Sequence, residues 1–274
     1  MPELPEVETV KLGIAEHITC STIEKIELRV KKLRKDIPID LILKQRGSKI
    51  IEVARRAKYL MLHLDSGFSL IIHLGMSGSL VLAQSPSYED KKHDHAVISL
   101  NNNLKLVFND PRRFGLVDIC LSDQIEWLSY ITRLGVEPFS EDFNISYLKM
   151  KLAQRAISIK LALMENKILV GVGNIYASEI LYASKINPLR SANNIADREV
   201  ESLVFHIKDI LNKAIIAGGS TLRDYKKADG TFGGFQSSFM VYNRKGEPCY
   251  QCGGLISKVT QSGRSTFFCP SCQN

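Results

Sequence analysis

Short apolar runs separated by turn residues fill the first half of the chain. The runs are rich in leucine and β-branched residues, and segments such as Asp65-Ser66-Gly67 and Asp110-Pro111 divide them. Runs of this length and spacing are typical of antiparallel sandwiches or barrels. A helix over about Pro5–Ile18 precedes them. The predicted strands are Thr22–Val30, Ile50–Ala54, Tyr59–Leu64, Ser69–Leu74, Leu80–Ala83, Ala96–Leu100, Leu104–Phe108 and Leu116–Leu121.

The apolar period becomes helical after the break at Gly135-Val136-Glu137-Pro138. One predicted helix starts near Asp197 and stops at Gly218-Gly219, and another runs from Asn174 towards Ile186. The segment Thr221–Phe235 contains Asp229-Gly230 and Gly233-Gly234, a composition that favours a mobile loop. The apolar face of the longer helix consists of Val200, Leu203, Val204, Ile207, Ile210, Leu211, Ala214 and Ile215.

Bulk composition narrows the class of protein and leaves its partner open. The 274 residues exceed one comfortable core, so more than one domain is expected. The formal charge is +7, and four thiolates on one Zn²⁺ would reduce it to about +5, which permits nucleic-acid binding without establishing it. No apolar run approaches the ~20 residues of a membrane span. The acidic N-terminal segment argues against an export signal.

Four of the six cysteines form two Cys-x-x-Cys pairs near the C-terminus, Cys249 with Cys252 and Cys269 with Cys272. Two such pairs can surround one Zn²⁺ tetrahedrally and leave no position for water, so a structural zinc finger is predicted. Leu255–Thr260 and Arg264–Phe268 read as its two strands, and Arg264 at the hairpin tip could face a phosphate or be merely solvated. A pair of redox dithiols is the weaker alternative, because no βαβ pattern surrounds the cysteines. Cys20 and Cys120 are expected to be reduced thiols.

The opening Met1-Pro2-Glu3 has two interpretations. Removal of the initiator would make the ring nitrogen of Pro2 a free secondary amine, and an α-amino group titrates near pH ~8. Such an amine can attack an electrophilic carbon and pass through an iminium, while Glu3 offers a carboxyl for proton transfer. Alternatively, the prolines only start a helix whose first turn favours Glu6 and Glu8. Residue types alone favour the second interpretation.

Several other segments could either contact a nucleic acid or be purely structural. Gly171-Val172-Gly173-Asn174 leads into a helix whose N-terminus could bind phosphate, or its asparagine could simply cap the helix. Arg55 and Arg56 are typical of a solvated face. Met76 and Phe114 are apolar residues on turns, where they either anchor the turn or insert into a partner.

The chain contains, in this order, the segments Pro2–Thr9, Arg55–Leu60, His73–Gly78, Lys92–His95, Asp110–Gly115, Gly171–Ala177 and the four-cysteine finger. These segments resemble the motifs of one known family, the bacterial formamidopyrimidine-DNA glycosylases, which excise oxidised purines from DNA. The sister family, endonuclease VIII, usually opens Pro-Glu-Gly-Pro, so Leu4 favours the purine-directed branch. One departure is Tyr242-Asn243-Arg244, where the family commonly has Tyr-Gly-Arg, and asparagine tolerates the positive φ of such a turn.

The resemblance implies an α+β fold with three parts. These are a catalytic β-sandwich with an N-terminal helix (1–134), a helix-two-turns-helix domain (135–220), and a base-covering loop with the zinc finger (221–274). It also implies a bifunctional DNA glycosylase and abasic-site lyase with one structural Zn²⁺ and no other cofactor. Pro2 would attack the anomeric carbon, and Glu3 would protonate the sugar ring oxygen. Lys58 would assist β-elimination and Arg264 δ-elimination, while Glu6 would position the base or sugar.

The resemblance also implies the DNA contacts and the partner. Met76, Arg112 and Phe114 would fill the void left by an extruded nucleotide, with Arg112 facing the orphaned cytosine. The partner would be duplex DNA with an oxidised purine or abasic site. We expect a monomer without membrane contact, in the bacterial cytoplasm and associated with the nucleoid. The other residues expected to contact DNA are His93, Arg155, Lys160 and Asn174, of which Asn174 would also cap its helix.

Two other functions stay open on the sequence. A non-catalytic zinc-finger protein that binds damaged or bent DNA would explain the charge, the finger and the glycine-rich helix start. It would leave Pro2-Glu3 unexplained. A pyrimidine-directed glycosylase like endonuclease VIII is the second alternative. Covalent trapping on DNA separates an enzyme from a binder, and lesion preference separates the two glycosylases.

Overall fold

The protein, seen in a computed structural model, is described over residues 2–221 and 227–274. Its chain forms two compact units, Met1–Thr132 with Ile215–Gln236 and Arg133–Ala214 with Ser237–Asn274. The predicted third part, 221–274, is therefore divided between them. Residues 222–226 of the predicted base-covering loop, and the fate of Met1, lie outside the described residues.

Two antiparallel four-stranded sheets build the first unit, and all eight predicted strands are present. The strands are β1 (Ile23–Leu28), β2 (Ile50–Arg56), β3 (Tyr59–Leu64), β4 (Phe68–His73), β5 (Ser79–Gln84), β6 (Asp94–Leu100), β7 (Leu104–Asn109) and β8 (Leu116–Leu121). One sheet has the order β1-β6-β7-β5 and the other β2-β3-β4-β8. The predicted sandwich is thereby confirmed.

The sandwich forms because apolar side chains from both sheets share one core. Leu62 and Ile72 of one sheet and Leu106 and Phe108 of the other are nearly fully buried in the same cluster. Helix α1 (Leu4–Ile18) adds Val7, Val10, Ile14 and Ile18 to this core and packs against β2. The short helix α2 (Ile39–Leu43) was not predicted. The core thus fixes the end of α1 that carries Pro2 and Glu3.

Helices and a zinc-finger hairpin build the second unit. The helices are α3 (Ile145–Ala153), α4 (Ile159–Leu163), α5 (Asn174–Ala183) and α6 (Asp197–Ile216), and the hairpin strands are β9 (Ser257–Gln261) and β10 (Arg264–Phe268). Ser262 and Gly263 both have positive φ, 46° and 73°, which suits a two-residue hairpin turn. Among the described residues, no helix combines the length and apolar character needed to cross a bilayer.

Candidate active site and nucleic-acid interface

One carboxylate holds the segment that leads into α1. Pro2 is buried and Glu3 is only 2% exposed. Glu6 Oε2 accepts the backbone N–H of Glu3 at 2.8 Å. Glu6 Oε1 accepts both the N–H and the hydroxyl of Ser220, at 2.7 and 2.9 Å. Glu6 therefore joins the segment that carries Pro2 to the segment that follows α6.

Glycines allow the segment after α6 to approach α1 closely. Gly219 has a φ of +73°, and a Cβ at this position would lie 3.0 Å from Glu6 Cγ. At Gly233, a Cβ would lie 2.4 Å from the carbonyl oxygen of Gly219. The N–H of Phe235 donates to that same oxygen at 3.0 Å. Backbone contacts thus fix both ends of the predicted base-covering loop in the first unit.

Lys58 lies in the tight turn between β2 and β3 and is 7% exposed. Arg55 anchors this turn, since its Nη1 donates to Ala57 O at 2.8 Å and its Nε to Glu8 Oε2 at 2.6 Å. The prediction that Arg55 belongs to a solvated face is wrong, because this ion pair with α1 keeps its side chain only 9% exposed. The turn that carries Lys58 is thereby tied to the helix that follows Pro2.

His73, at the end of β4, supports the turn that carries Met76. Burial, together with the positive charges of Lys58 and Arg34, lowers the pKa of His73 to about 4, so its ring is neutral at pH 7. Its Nδ1 accepts the N–H of Gly75 at 2.9 Å. A neutral imidazole accepts at Nδ1 only when Nε2 carries the proton, so this bond requires one tautomer.

The three predicted void-filling residues lie on two adjoining turns. Met76 and Phe114 are 41% and 45% exposed, and the guanidinium of Arg112 lies 4.8 Å from the Phe114 ring centre. A Cβ at Gly75 would lie 2.7 Å from Phe114 O, so the turns are in direct contact. Exposed apolar side chains on fixed turns suit insertion into a base stack. His93 is half-buried just before β6.

In the second unit, Asn174 begins α5 but does not cap it. Gly173 occupies the N-cap position, and no side chain there bonds to the helix. The Oδ1 of Asn174 instead accepts from Lys160 Nζ at 2.6 Å. The predicted capping role of Asn174 is therefore wrong, because its oxygen already serves the lysine and its residue lies inside the helix.

Lys160 and Arg155 are engaged within the second unit. Lys160 is fully buried, and its Nζ also donates to Ser265 O at 2.9 Å and Thr266 Oγ1 at 2.8 Å. This burial argues against the predicted phosphate contact, since the ammonium faces β10. Arg155 lies in the connection after α3, where its Nε pairs with Glu165 at 3.1 Å. Its DNA contact stays a prediction.

The four cysteines of the finger form a structural zinc site. Their sulfur atoms all lie within 4.8 Å of one another, and Cys249–Cys272 and Cys252–Cys269 are 3.9 and 3.5 Å apart. Tetrahedral Zn–S bonds of about 2.3 Å place sulfurs about 3.8 Å apart, so the set fits one Zn²⁺. The hydroxyl of Tyr182 lies 3.2 Å from Cys249 Sγ and connects the site to α5.

Glu179 of α5 holds the segment that leads into the finger, a role that no sequence motif indicates. Its carboxylate accepts the N–H groups of Met240, Val241 and Tyr242 at 2.8, 3.1 and 2.8 Å. Asn243 then has a φ of 63°, the conformation for which a glycine or asparagine is favoured. Arg264 is exposed at the start of β10.

Family models match most of the chain. They are the formamidopyrimidine-DNA glycosylase N-terminal domain over residues 1–117, the H2TH domain of the same enzymes over 134–226, and the zinc finger found in FPG and IleRS over 246–274. The chain belongs to the formamidopyrimidine-DNA glycosylase family. Membership of this DNA-repair family makes it a glycosylase and rules against the non-catalytic alternative.

Relatives and solved structures agree with this family over the full length. Formamidopyrimidine-DNA glycosylases of Rickettsia conorii and of the Wolbachia of Brugia malayi are 45% and 44% identical, covering all of this chain and 99% and 100% of theirs. A Lactococcus lactis FPG mutant bound to Fapy-dG DNA has a TM-score of 0.92 at 35% identity and full coverage of both chains. The Lactococcus lactis Fpg bound to abasic-site DNA has a TM-score of 0.91 at 34% identity, with 99% of each chain covered.

Proposed function

We propose that this member of the formamidopyrimidine-DNA glycosylase family excises oxidised purines from duplex DNA and cleaves the resulting abasic strand, with Pro2 as the nucleophile. The observation that carries this proposal is the Glu6 carboxylate, which fixes the Glu3 backbone and Ser220 together. The Lactococcus lactis complexes with Fapy-dG DNA and abasic-site DNA support the substrate class.

Pro2 and Glu3 would open the reaction. The Pro2 nitrogen attacks the anomeric carbon, the bond from that carbon to the base breaks, and the proton of the attacking amine passes to the departing base. Glu3 protonates the ring oxygen, the ring opens, and the nitrogen lone pair completes an iminium with the deoxyribose. The positive end of the α1 dipole lies beside Pro2 and disfavours an ammonium there, so it favours the nucleophilic neutral amine. This chemistry requires that Met1 be removed.

Lys58 and Arg264 would act in strand cleavage. The iminium makes the neighbouring sugar proton acidic, so loss of that proton expels the 3′ phosphate, and a second elimination expels the 5′ phosphate. Lys58 assists the first elimination from its turn beside α1. Arg264 supports the second from the exposed tip of the finger hairpin. The zinc holds that hairpin and takes no part in the chemistry.

Base extrusion would use the two adjoining turns of the first unit. Unstacking a paired nucleotide costs a few kcal/mol, and the inserted side chains of Met76, Arg112 and Phe114 offset part of this cost. His93, Arg155 and Asn174 would contact the DNA backbone. We further propose that the protein acts as a monomer in the cytoplasm, at the nucleoid.

Borohydride trapping on defined duplexes tests this function. Wild-type protein should form a covalent adduct with 8-oxoguanine:cytosine duplex and with abasic duplex, because borohydride reduces the iminium. The adduct on 8-oxoguanine should form faster than on thymine glycol, and the reverse order would favour the pyrimidine-directed alternative. Absence of any adduct would contradict the proposed catalysis.

The nucleophile is tested by Pro2→Gly together with intact mass. This variant should trap at least about 100-fold more slowly on abasic duplex, because the rigid secondary amine is lost. Glu16→Gln, an exposed substitution on α1, serves as a matched control that should trap normally. A Pro2→Gly protein that trapped at the wild-type rate, or a fully active wild-type protein that retained Met1, would exclude Pro2.

A further inference from the structure

Asp110 is a fully buried carboxylate at the meeting point of three connections of the first unit, and its relative exposure is 0%. Its Oδ1 accepts the hydroxyl of Ser77 at 2.7 Å and the N–H of Arg112 at 3.3 Å. Its Oδ2 accepts the N–H of Gly115 at 2.7 Å. One side chain thus bonds to the turn that carries Met76 and to both ends of the loop that carries Arg112 and Phe114.

The backbone of Asp110 extends this set of bonds to the strand that follows His93. Its N–H donates to His93 O at 3.0 Å, and its carbonyl oxygen lies 2.9 Å from Nε2 of the buried His95. The carbonyl also accepts the N–H of Arg113, at 3.2 Å, which closes the loop. The residue therefore connects every predicted DNA contact of the first unit outside the Pro2 and Lys58 sites.

We propose that Asp110 is a positioning residue that locks the Met76 turn and the Arg112–Phe114 loop together, so that their tips enter the duplex as one rigid wedge. This inference rests on the proposed function. A carboxylate is an acceptor at both oxygens, which this site requires because every group facing it is a donor. Free loops would lose entropy on insertion, whereas loops locked in advance have already lost it.

The connection between the two turns depends on the individual oxygen atoms of the Asp110 carboxylate. In Asp110→Asn, the remaining oxygen can keep the Ser77 hydroxyl, but the new amide group presents N–H to the N–H of Gly115. The retained oxygen can also keep the Arg112 N–H, so it is the Gly115 end of the loop that loses its acceptor, while the side chain keeps its volume. An unpaired buried donor lowers the equilibrium population of the conformation that contains it by a factor of roughly 10 to 100. We expect an effect of this size on the rate of base extrusion.

Single-turnover rates on two substrates test the proposal. Asp110→Asn should excise 8-oxoguanine opposite cytosine roughly 10- to 100-fold more slowly than wild type. It should cleave a preformed abasic site within about threefold of wild type, since no paired base has to be unstacked there. Asp118→Asn is the matched control, because Asp118 is also buried in this unit but pairs with Lys35 and Tyr130. Equal slowing on both substrates, or the same ratio in the control, would overturn the proposal.

A second variant and a fluorescence measurement test the same proposal independently. Ser77→Ala removes one donor, so it should show the same substrate bias more weakly and add less than its full effect to Asp110→Asn. This variant also carries the test if Asp110→Asn does not fold. A 2-aminopurine placed opposite a tetrahydrofuran site reports wedge insertion without chemistry, and its signal should fall in both variants. An unchanged signal contradicts the wedge, whereas failure of wild-type trapping contradicts only the proposed catalysis.

Discussion

The sandwich of the first unit and the finger of the second hold their functional residues in different ways. In the first unit, the turns that carry Lys58, Met76 and Arg112 project from strands that bury one large apolar core. The finger has a small buried cluster, which consists of Tyr182, Val241, Cys249, Ile256, Phe267 and Cys269. Two members of that cluster are zinc ligands. The finger therefore depends on the metal for folding free energy that the sandwich obtains from apolar burial.

A buried carboxylate joins neighbouring segments in both regions, but the segments that it joins differ in how much apolar core supports them. Asp110 joins turns that the same core already supports. Glu179 joins α5 to a segment with little core of its own, through three backbone N–H groups. A disturbance in the finger should therefore spread towards Tyr242 and α5. One in the sandwich should stay within the turns that Asp110 joins.

The largest effect should follow loss of the metal. Cys269→Ser replaces a fully buried ligand, so the finger should lose most of its protection from hydrogen exchange over residues 246–274. Expulsion of the 5′ phosphate from an abasic site should fall by about 100-fold or more, because Arg264 loses its support. Protection of β3 should be unchanged, and metal analysis should give less than one zinc per chain.

Cys20→Ser provides the control for this variant, since Cys20 is an exposed cysteine outside the ligand set. It should retain zinc, exchange protection and cleavage. If the finger amides of Cys269→Ser stayed protected without metal, apolar packing would be sufficient there, and the contrast between the two regions would disappear.

A smaller effect should appear in the first unit at acid pH. The pKa of His73 is about 4 in the folded protein against an ordinary value of 6.5, so only the unfolded chain takes up a proton between these values. The free energy of unfolding should therefore be constant above pH 6.5 and fall as the pH drops towards 4, by up to ~3 kcal/mol. Protonation of Nδ1 also breaks the bond from Gly75.

Urea unfolding at pH 7 and pH 4, followed by hydrogen exchange in β4, measures this contribution. His73→Gln cannot take up the proton, so it should lose about 3 kcal/mol less than wild type over the same range. His17→Gln changes an exposed histidine of α1 and should behave like wild type. Identical acid slopes in wild type and His73→Gln would show that other groups cause the acid sensitivity.

The sequence predicts the elements well where the periodicity is long and poorly where it is short. The eight strands, α1, α5 and α6 follow from apolar patterns and turn residues. The helices α2 and α4 have only five residues each, too few to show a helical period. Tertiary contacts stabilise such short helices, and local pattern does not report those contacts.

The candidate site also has a part that the sequence predicts and a part that it does not. The zinc cysteines can be found from the sequence, because their chemistry is visible in residue type and spacing, whereas the roles expected of Pro2 and Lys58 follow only from the family resemblance. The bonds that hold the site cannot be found from the sequence, since Glu6 reaches Ser220 across 214 residues and Lys160 reaches Thr266 across 106. Burial also overturns predictions that are based on charge alone. Arg55 and Lys160 were expected to face solvent or DNA, but each donates to acceptors inside the protein.

The smallest predicted effect distinguishes an internal lysine from one that contacts DNA. Lys160→Met leaves the acceptors Asn174, Ser265 and Thr266 without their ammonium, so it should lower the stability of the second unit. The dependence of binding on salt should not change, because a fully buried ammonium releases no counterion from DNA. In Arg264→Gln, the exposed cation of the finger is lost, and the slope of log K against log salt should fall by about one unit. Fluorescence anisotropy on abasic duplex over a salt series gives both slopes. A decrease of about one unit in Lys160→Met would mean that its ammonium leaves β10 for a phosphate on binding DNA.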